Sequence, residues 1–171
     1  MLALDHALLT PRLRLEPVTA GIILAAHAGP RTLSGAVGAE PAQGWRAEGL
    51  FPLAAVRDQK FTPTNALIIE IGTMRVIGHV RFDRTPLRAN VYEIGYEIAP
   101  AYRRQGYAVE ATARIIRWLL EEADAARVIA GCSMRNVASV RTLRRLGFHL
   151  DGSSARGNAF WWVYPDTKSA A

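Results

Sequence analysis

The apolar pattern of this chain changes period at Pro100, and that change constrains the fold more than any other feature. Before it, residues 91–99 alternate. Tyr92, Ile94, Tyr96 and Ile98 fall on one face, and Glu93, Gly95 and Glu97 on the other. A period of two residues is that of a strand. Pro100 cannot donate to a sheet ladder, so the strand stops there. After it, Ala108, Thr112, Ile115, Ile116, Leu119 and Leu120 recur at helical spacing over residues 106–123. A short apolar run at 128–132 then predicts another strand.

The remaining elements fit around this unit. Residues 8–18 predict a first strand, on the alternation Leu13-Arg14-Leu15. Thr19 caps a short helix whose apolar residues include Ile22, Ile23 and Ala26. Residues 29–49 are rich in Gly, Pro and small side chains and predict a loop with helical pieces, and residues 53–59 predict a second helix. Strands are expected at 66–71 and 75–82, joined by Gly72-Thr73-Met74. Thr85-Pro86-Leu87-Arg88-Ala89-Asn90 supplies the turn into the strand at 91–99. A helix at 136–146 ends at Gly147. Strands at 148–153 and 160–164 follow, joined by Ala155-Arg156-Gly157-Asn158. A strand–helix–strand unit after a meander implies an α/β fold, a mixed sheet with helices on both faces. No repeat or low-complexity linker divides the chain, and its 171 residues fit one domain spanning 1–171.

Composition narrows the function classes. Half the residues are hydrophobic and 21% are charged, enough to bury a core. No apolar run approaches the roughly 18 residues of a membrane helix, and no basic segment with an apolar stretch opens the chain. The single cysteine, Cys132, cannot form an internal disulfide, so a cytoplasmic setting is expected. The net charge of +6 suits nucleic acid, an acidic protein or a phosphorylated cofactor. Arg103, Arg104, Arg141, Arg144 and Arg145 cluster without the stacking aromatics of a nucleic-acid groove, which disfavours that partner. His6, His27, His79 and His149 lack metal-ligand spacing, so no metal is expected. Cys132 lies in an apolar strand with no histidine near it in sequence, as a structural thiol does.

The segment with most chemical content is Arg103-Arg104-Gln105-Gly106-Tyr107-Ala108. A helix start leaves about four backbone N–H groups without partners, and a Ser, Thr, Asp or Asn side chain usually accepts one of them. None stands here. Gly106 permits close approach to the backbone. Uncapped donors at a positive dipole end suit a pyrophosphate. These residues alone fit equally well an exposed turn with solvated arginines.

Arg103-x-x-Gly106-x-Ala108 resembles the (Q/R)-x-x-G-x-(G/A) signature of the GNAT superfamily of N-acetyltransferases. It follows Glu93-Ile94-Gly95-Tyr96-Glu97-Ile98-Ala99-Pro100 and precedes Asn136-Val137-Ala138-Ser139 and Leu146-Gly147-Phe148. That ending, with Thr10-Pro11-Arg12-Leu13-Arg14-Leu15, resembles the branch that acetylates ribosomal-protein N-termini. The resemblance covers nearly the whole chain and is weakest over 29–64. It implies a mostly antiparallel mixed sheet with a splayed parallel strand pair, and acetyl-CoA as cosubstrate. Backbone groups of Ile98 and Ala99 would pair with the pantetheine arm. Arg103 and the N–H groups of Arg104, Gln105, Gly106, Tyr107 and Ala108 would hold the pyrophosphate. Asn136 would order the cofactor end of the site; by itself it reads as a helix N-cap. The acceptor would be a primary amine, with a protein N-terminus leading, and aminoglycosides, polyamines and free amino acids open. A monomer or homodimer is expected.

An amine attacking a thioester must be neutral, and a carboxylate can remove its proton. Glu93 and Glu97 are the candidates, as base or as ligands of the cationic amine; both also read as solvated residues. Where many relatives place a tyrosine as general acid, this chain has Leu143. The ribosomal-protein branch suggests the Ser139 hydroxyl instead, which otherwise reads as a helix serine bonding its own backbone. Trp161 and Trp162 read as sheet core and edge; the resemblance implies that the final hairpin borders the acceptor pocket, and alternation sends the two to opposite faces, so one of them would line it. Loss of the usual tyrosine also fits a non-catalytic acyl-CoA-binding domain.

Overall fold

The computed structural model describes residues 4–47, 50–57, 62–85, 90–154 and 159–165. The chain runs β1 (Leu8–Leu9), β2 (Leu13–Pro17), α1 (Ala20–Ala28), α2 (Pro30–Val37), β3 (Glu40–Pro41) and α3 (Leu53–Arg57). It continues through β4 (Asn65–Glu70), β5 (Arg75–Arg84), β6 (Val91–Ile98), a 3₁₀ turn (Pro100–Tyr102) and α4 (Tyr107–Glu121). It closes with β7 (Arg127–Ser133), α5 (Val137–Arg145), β8 (His149–Ser154) and β9 (Ala159–Val163). The strands form one sheet in the order β1-β2-β4-β5-β6-β7-β9-β8, with β3 paired to β5. The β6–β7 and β3–β5 pairs are parallel; the others are antiparallel.

The expected first strand is two strands. Thr10 N–H donates to the Leu13 carbonyl, and the Thr10 hydroxyl accepts from Leu13 N–H, each at 2.9 Å. Pro11 presets the backbone of this turn, so residues 8–18 fold back into a hairpin. Residues 29–49, expected as a loop with helical pieces, supply α2 and also the short strand β3. The second helix is described as far as Arg57; residues 58 and 59 lie outside the described residues, as do residues 86–89 of the turn expected at 85–90 and the whole of the turn expected at 155–158.

Helices cover both faces. The apolar side of α4 buries Ala111, Ile115, Ile116, Trp118 and Leu119 against Ile94 and Ile98 of β6 and Val128 and Ala130 of β7, with Val140 and Leu143 of α5. Each fully buried Val, Leu or Ile side chain among them contributes about 1.5–3 kcal/mol by leaving water. On the opposite face Ile22, Ile23, Leu33 and Val37 of α1 and α2 pack on Leu67, Ile69 and Val76. Thr19 caps α1 through a bond from Ile22 N–H. No helix among the described residues is long and apolar enough to cross a membrane.

One irregularity creates the site. The β6–β7 ladder pairs Val91 with Arg127, Tyr92 with Val128 and Glu93 with Ile129. Beyond Glu93 the described strands keep only their outer partners: β6 runs on to Ile98 against Gly78, and β7 to Ser133 against Ala159. The sheet therefore splits between them toward the Pro100 end.

Candidate active site

The split ends at the start of α4. Ala99 donates its N–H to the Ile77 carbonyl at 2.7 Å and accepts from Tyr102 N–H at 2.9 Å. Both backbone groups of Ala99 are thus engaged on the protein side, whereas backbone alternation turns the Ile98 N–H toward the split. Arg103 Nε donates to the Ile98 carbonyl at 2.8 Å, and Gln105 Nε2 to the Ala101 carbonyl at 3.1 Å. Arg104 and Gly106 both adopt left-handed backbone, with φ of +63° and +85°. No described side chain caps α4, and its first bonded donor is Glu110 N–H, to the Gly106 carbonyl at 3.0 Å. The N–H groups of residues 104–109 have no partner among the described residues. A bent turn with free donors at a helix start can receive an anion.

The wall of the split opposite β6 carries α5. Asn136 caps this helix, its Oδ1 accepting from Ser139 N–H at 3.1 Å. Ser139 is half-buried rather than buried. The Tyr96 hydroxyl donates to the Ser139 carbonyl at 3.3 Å, bridging β6 and α5. Burial pushes the Tyr96 phenol up, outweighing its contacts with Ser139 and Thr142. Burial likewise pushes the Cys132 thiol up against the lowering contact with Ser139, leaving it a thiol. Leu143, at 1% exposure, is a core residue.

The sheet face that carries Glu93 and Glu97 is less acidic than their alternation alone predicts. Both glutamates are half-buried. In register, Asp83 stands beside Glu93, Arg81 beside Gly95 and His79 beside Glu97. The Arg81 guanidinium lies over Gly95: a Cβ there would be 3.7 Å from Arg81 Nη2. Arg81 Nε bonds Asp83 at 2.8 Å. His79 is mostly buried and its Nδ1 has no partner among the described residues. Burial first, then the Arg81 charge, lower its pKa to about 4, so it is neutral at physiological pH. Trp161 shares this face, opposite Gly131, while Trp162 is in the core. Trp45, which follows β3, packs against both core clusters with its indole N–H buried and unpartnered among the described residues. The preceding Gly44 abuts Pro100, where a Cβ would come within 3.4 Å. No local sequence pattern marks Arg81 or Trp45; the β5–β6 register reveals the first, and only the fold reveals the second.

Residues 12–149 match the family model described as an acetyltransferase (GNAT) domain. The chain belongs to the GNAT acetyltransferase family. It is 33% identical over 98 residues to YjdG of Bacillus subtilis, an uncharacterized N-acetyltransferase, covering 57% of each chain. The chain spans about half the length of the curated relatives it matches. Among solved structures, ribosomal-protein-S5-alanine acetyltransferase from Vibrio fischeri superposes with a TM-score of 0.60 at 17% identity, covering 93% of this chain and 94% of that one. Mycobacterium smegmatis RimJ in complex with CoA-disulfide gives 0.59 at 16%, covering 92% and 83%. At these identities the structures share the GNAT fold. The split β6–β7 pair is the splayed parallel pair expected of it.

A further feature of this GNAT domain lies on the N-terminal hairpin. Glu110, explicable from sequence by the α4 dipole alone, accepts from the Thr10 hydroxyl at 2.6 Å and from Arg12 N–H at 3.1 Å. Burial raises its pKa, but the Thr10 and Arg12 contacts together hold it below the ordinary glutamate value.

Proposed function

We propose that this chain transfers an acetyl group from acetyl-CoA to a primary amine by direct attack within a ternary complex. The observation that carries this reading is the split between β6 and β7 ending on the uncapped start of α4. A pantetheine arm laid along β6 finds the Ile98 N–H, and a pyrophosphate at its end finds the free N–H groups from Arg104 to Ala108. Gly106 supplies the left-handed backbone that the turn requires. Acetyl-CoA supplies the activated acetyl group. The chain's residues bind it, aim donors at the carbonyl oxygen and receive the amine.

The amine enters from the face of Glu93 and Glu97. An α-amino group has a pKa near 8 and is partly neutral at physiological pH; a lysine amine near 10.4 needs more help. Glu93, directly or through water, takes the proton, and Glu97 and Arg81 shape the field around it. On the other side of the split the hydroxyl of Ser139 stands near the Cys132 thiol, with Tyr96 beside it. A proton from Ser139 reaches the leaving thiolate from there. Asn136 orders the start of α5 beneath it. We infer a protein N-terminus as the acceptor, on the sequence resemblance to the ribosomal-protein branch and the likeness to the Vibrio fischeri enzyme.

The test is thiol release from acetyl-CoA with a panel of amines: N-terminal peptides, lysine peptides, polyamines, aminoglycosides and free amino acids. Release with the N-terminal peptides is expected. CoA binding without turnover of any amine would replace the reading with an acyl-CoA-binding domain.

A further inference from the structure

Arg12 sits in the turn between β1 and β2, and its side chain ends at the cofactor turn. Nη1 donates to the Gln105 carbonyl at 3.1 Å. Nε and Nη2 meet one carboxylate oxygen of Glu110 at 2.7 and 2.6 Å. The guanidinium carbon stands 4.4 Å from the centroid of the Tyr107 ring, a cation–π contact. A Cβ on Gly106 would come within 3.4 Å of Nη2. One planar group therefore contacts the loop before the helix, the first helical ring and the first-turn carboxylate.

The consequence follows from peptide geometry. A trans peptide is planar, and its C=O and N–H point in opposite directions. The chain has no cis peptide among the described residues. Arg12 draws the Gln105 carbonyl to its own side, so the Gly106 N–H of the same peptide turns to the other side. There it has no described partner. Glu110 offsets the charge of Arg12, so the pair adds orientation rather than net charge to the turn. Arg12 is also the only contact of the Gln105 carbonyl among the described residues, and Gln105 lies between two left-handed residues. Left-handed backbone at Arg104 is unfavourable for a residue with a Cβ, so the conformation needs an external hold.

We propose that Arg12 is a positioning residue: it holds the cofactor turn in the conformation that aims the Gly106 N–H outward. Its effect on cofactor binding rests on the reading that this turn receives the pyrophosphate. Arg12 does not touch the reacting atoms. Lys at this position keeps the charge but cannot hold a carbonyl and a carboxylate in one plane. Gln removes the charge and leaves Glu110 unbalanced.

Four proteins test it: the parent, Arg12→Lys, Arg12→Gln, and the double variant Arg12→Gln/Glu110→Gln. Backbone ¹⁵N order parameters of the unliganded proteins report the turn directly, calorimetric titration reports CoA affinity, and thermal unfolding confirms the fold. Lower order parameters at residues 105–107 are expected in every variant. CoA affinity is expected to fall about tenfold in Arg12→Lys, the loss of roughly one charge-assisted hydrogen bond. The KM for acetyl-CoA rises with kcat unchanged. The double variant is expected to bind no better than Arg12→Gln. Full recovery in the double variant would mean charge compensation and overturn positioning, as would parental CoA affinity in Arg12→Lys. Unchanged order parameters would overturn the hold itself. If the parent binds no CoA, the pyrophosphate reading fails, while the order parameters still decide whether Arg12 holds the turn.

Discussion

Gly78→Ala should damage both the fold and the cofactor site, because at Gly78 the strands that support the split are too close for a side chain. An ideal Cβ at Gly78 would stand 2.1 Å from the Glu97 carbonyl oxygen, 3.2 Å from its carbon and 3.0 Å from Ile98 Cδ1. The nearest atom is backbone and cannot swing aside. Carbon–oxygen contacts settle at about 3.3 Å, so β5 and β6 must part by roughly 1 Å. Forcing atoms into packed space costs about 1–3 kcal/mol, against which the stiffer unfolded chain returns about 0.4–1 kcal/mol. The net loss is about 1–2 kcal/mol. In a domain of this size that lowers Tm by about 2–8 °C. Ile98, whose N–H faces the split, moves with β6, so CoA affinity should fall as well. Urea denaturation with calorimetric CoA titration measures both. An unchanged urea midpoint with unchanged CoA affinity would refute the close approach and the role given to β6.

Other outcomes follow from the same geometry. Gly106→Trp should abolish CoA binding, since a side chain is strained at a φ of +85° and its Cβ would press on Arg12 Nη2 at 3.4 Å, displacing the turn; titration with CoA checks it. Glu93→Gln should depress turnover most at low pH, where removal of the amine proton limits the rate; an unaltered pH–rate profile would move that role to Glu97 or to water. His79 titrates near 4 in the folded protein, against about 6.5 when unfolded. As pH falls from 6.5 toward 4 the unfolded chain takes up a proton that the folded chain refuses, so stability declines across that window. The decline attributable to His79 is about 1–3 kcal/mol, discounted for partial exposure. His79→Asn should flatten that part of the urea-midpoint profile, and a parental slope would contradict it.

What sequence could show depended on how local the cause was. The switch of period at Pro100, the cap at Thr19 and the stop at Gly147, where φ is +91°, are decided within a few residues, and all stand where expected. The uncapped start of α4 was legible for the same reason: a missing cap and a glycine are adjacent features. Residues 29–49 were not legible. α2 is short and starts at an uncapped glycine, and β3 exists only because β5 receives it. The hairpin at Thr10–Leu13 was hidden because alternation continues through it. Arg12 and Glu110 lie 98 positions apart, and no pattern along the chain joins them. Arg81 lies across Gly95 because strand register put it there, so the face of Glu93 and Glu97 reads as purely acidic until β5 is laid beside β6.

The central claim is that CoA lies in the split between β6 and β7 with its pyrophosphate on the start of α4. Amide chemical shifts followed during a CoA titration test it most directly. The largest changes are predicted at residues 104–108, at Ile98, and along residues 130–133 of β7. Changes confined to the far edges of the sheet, at β1 or β8, with residues 104–108 unmoved, would contradict it.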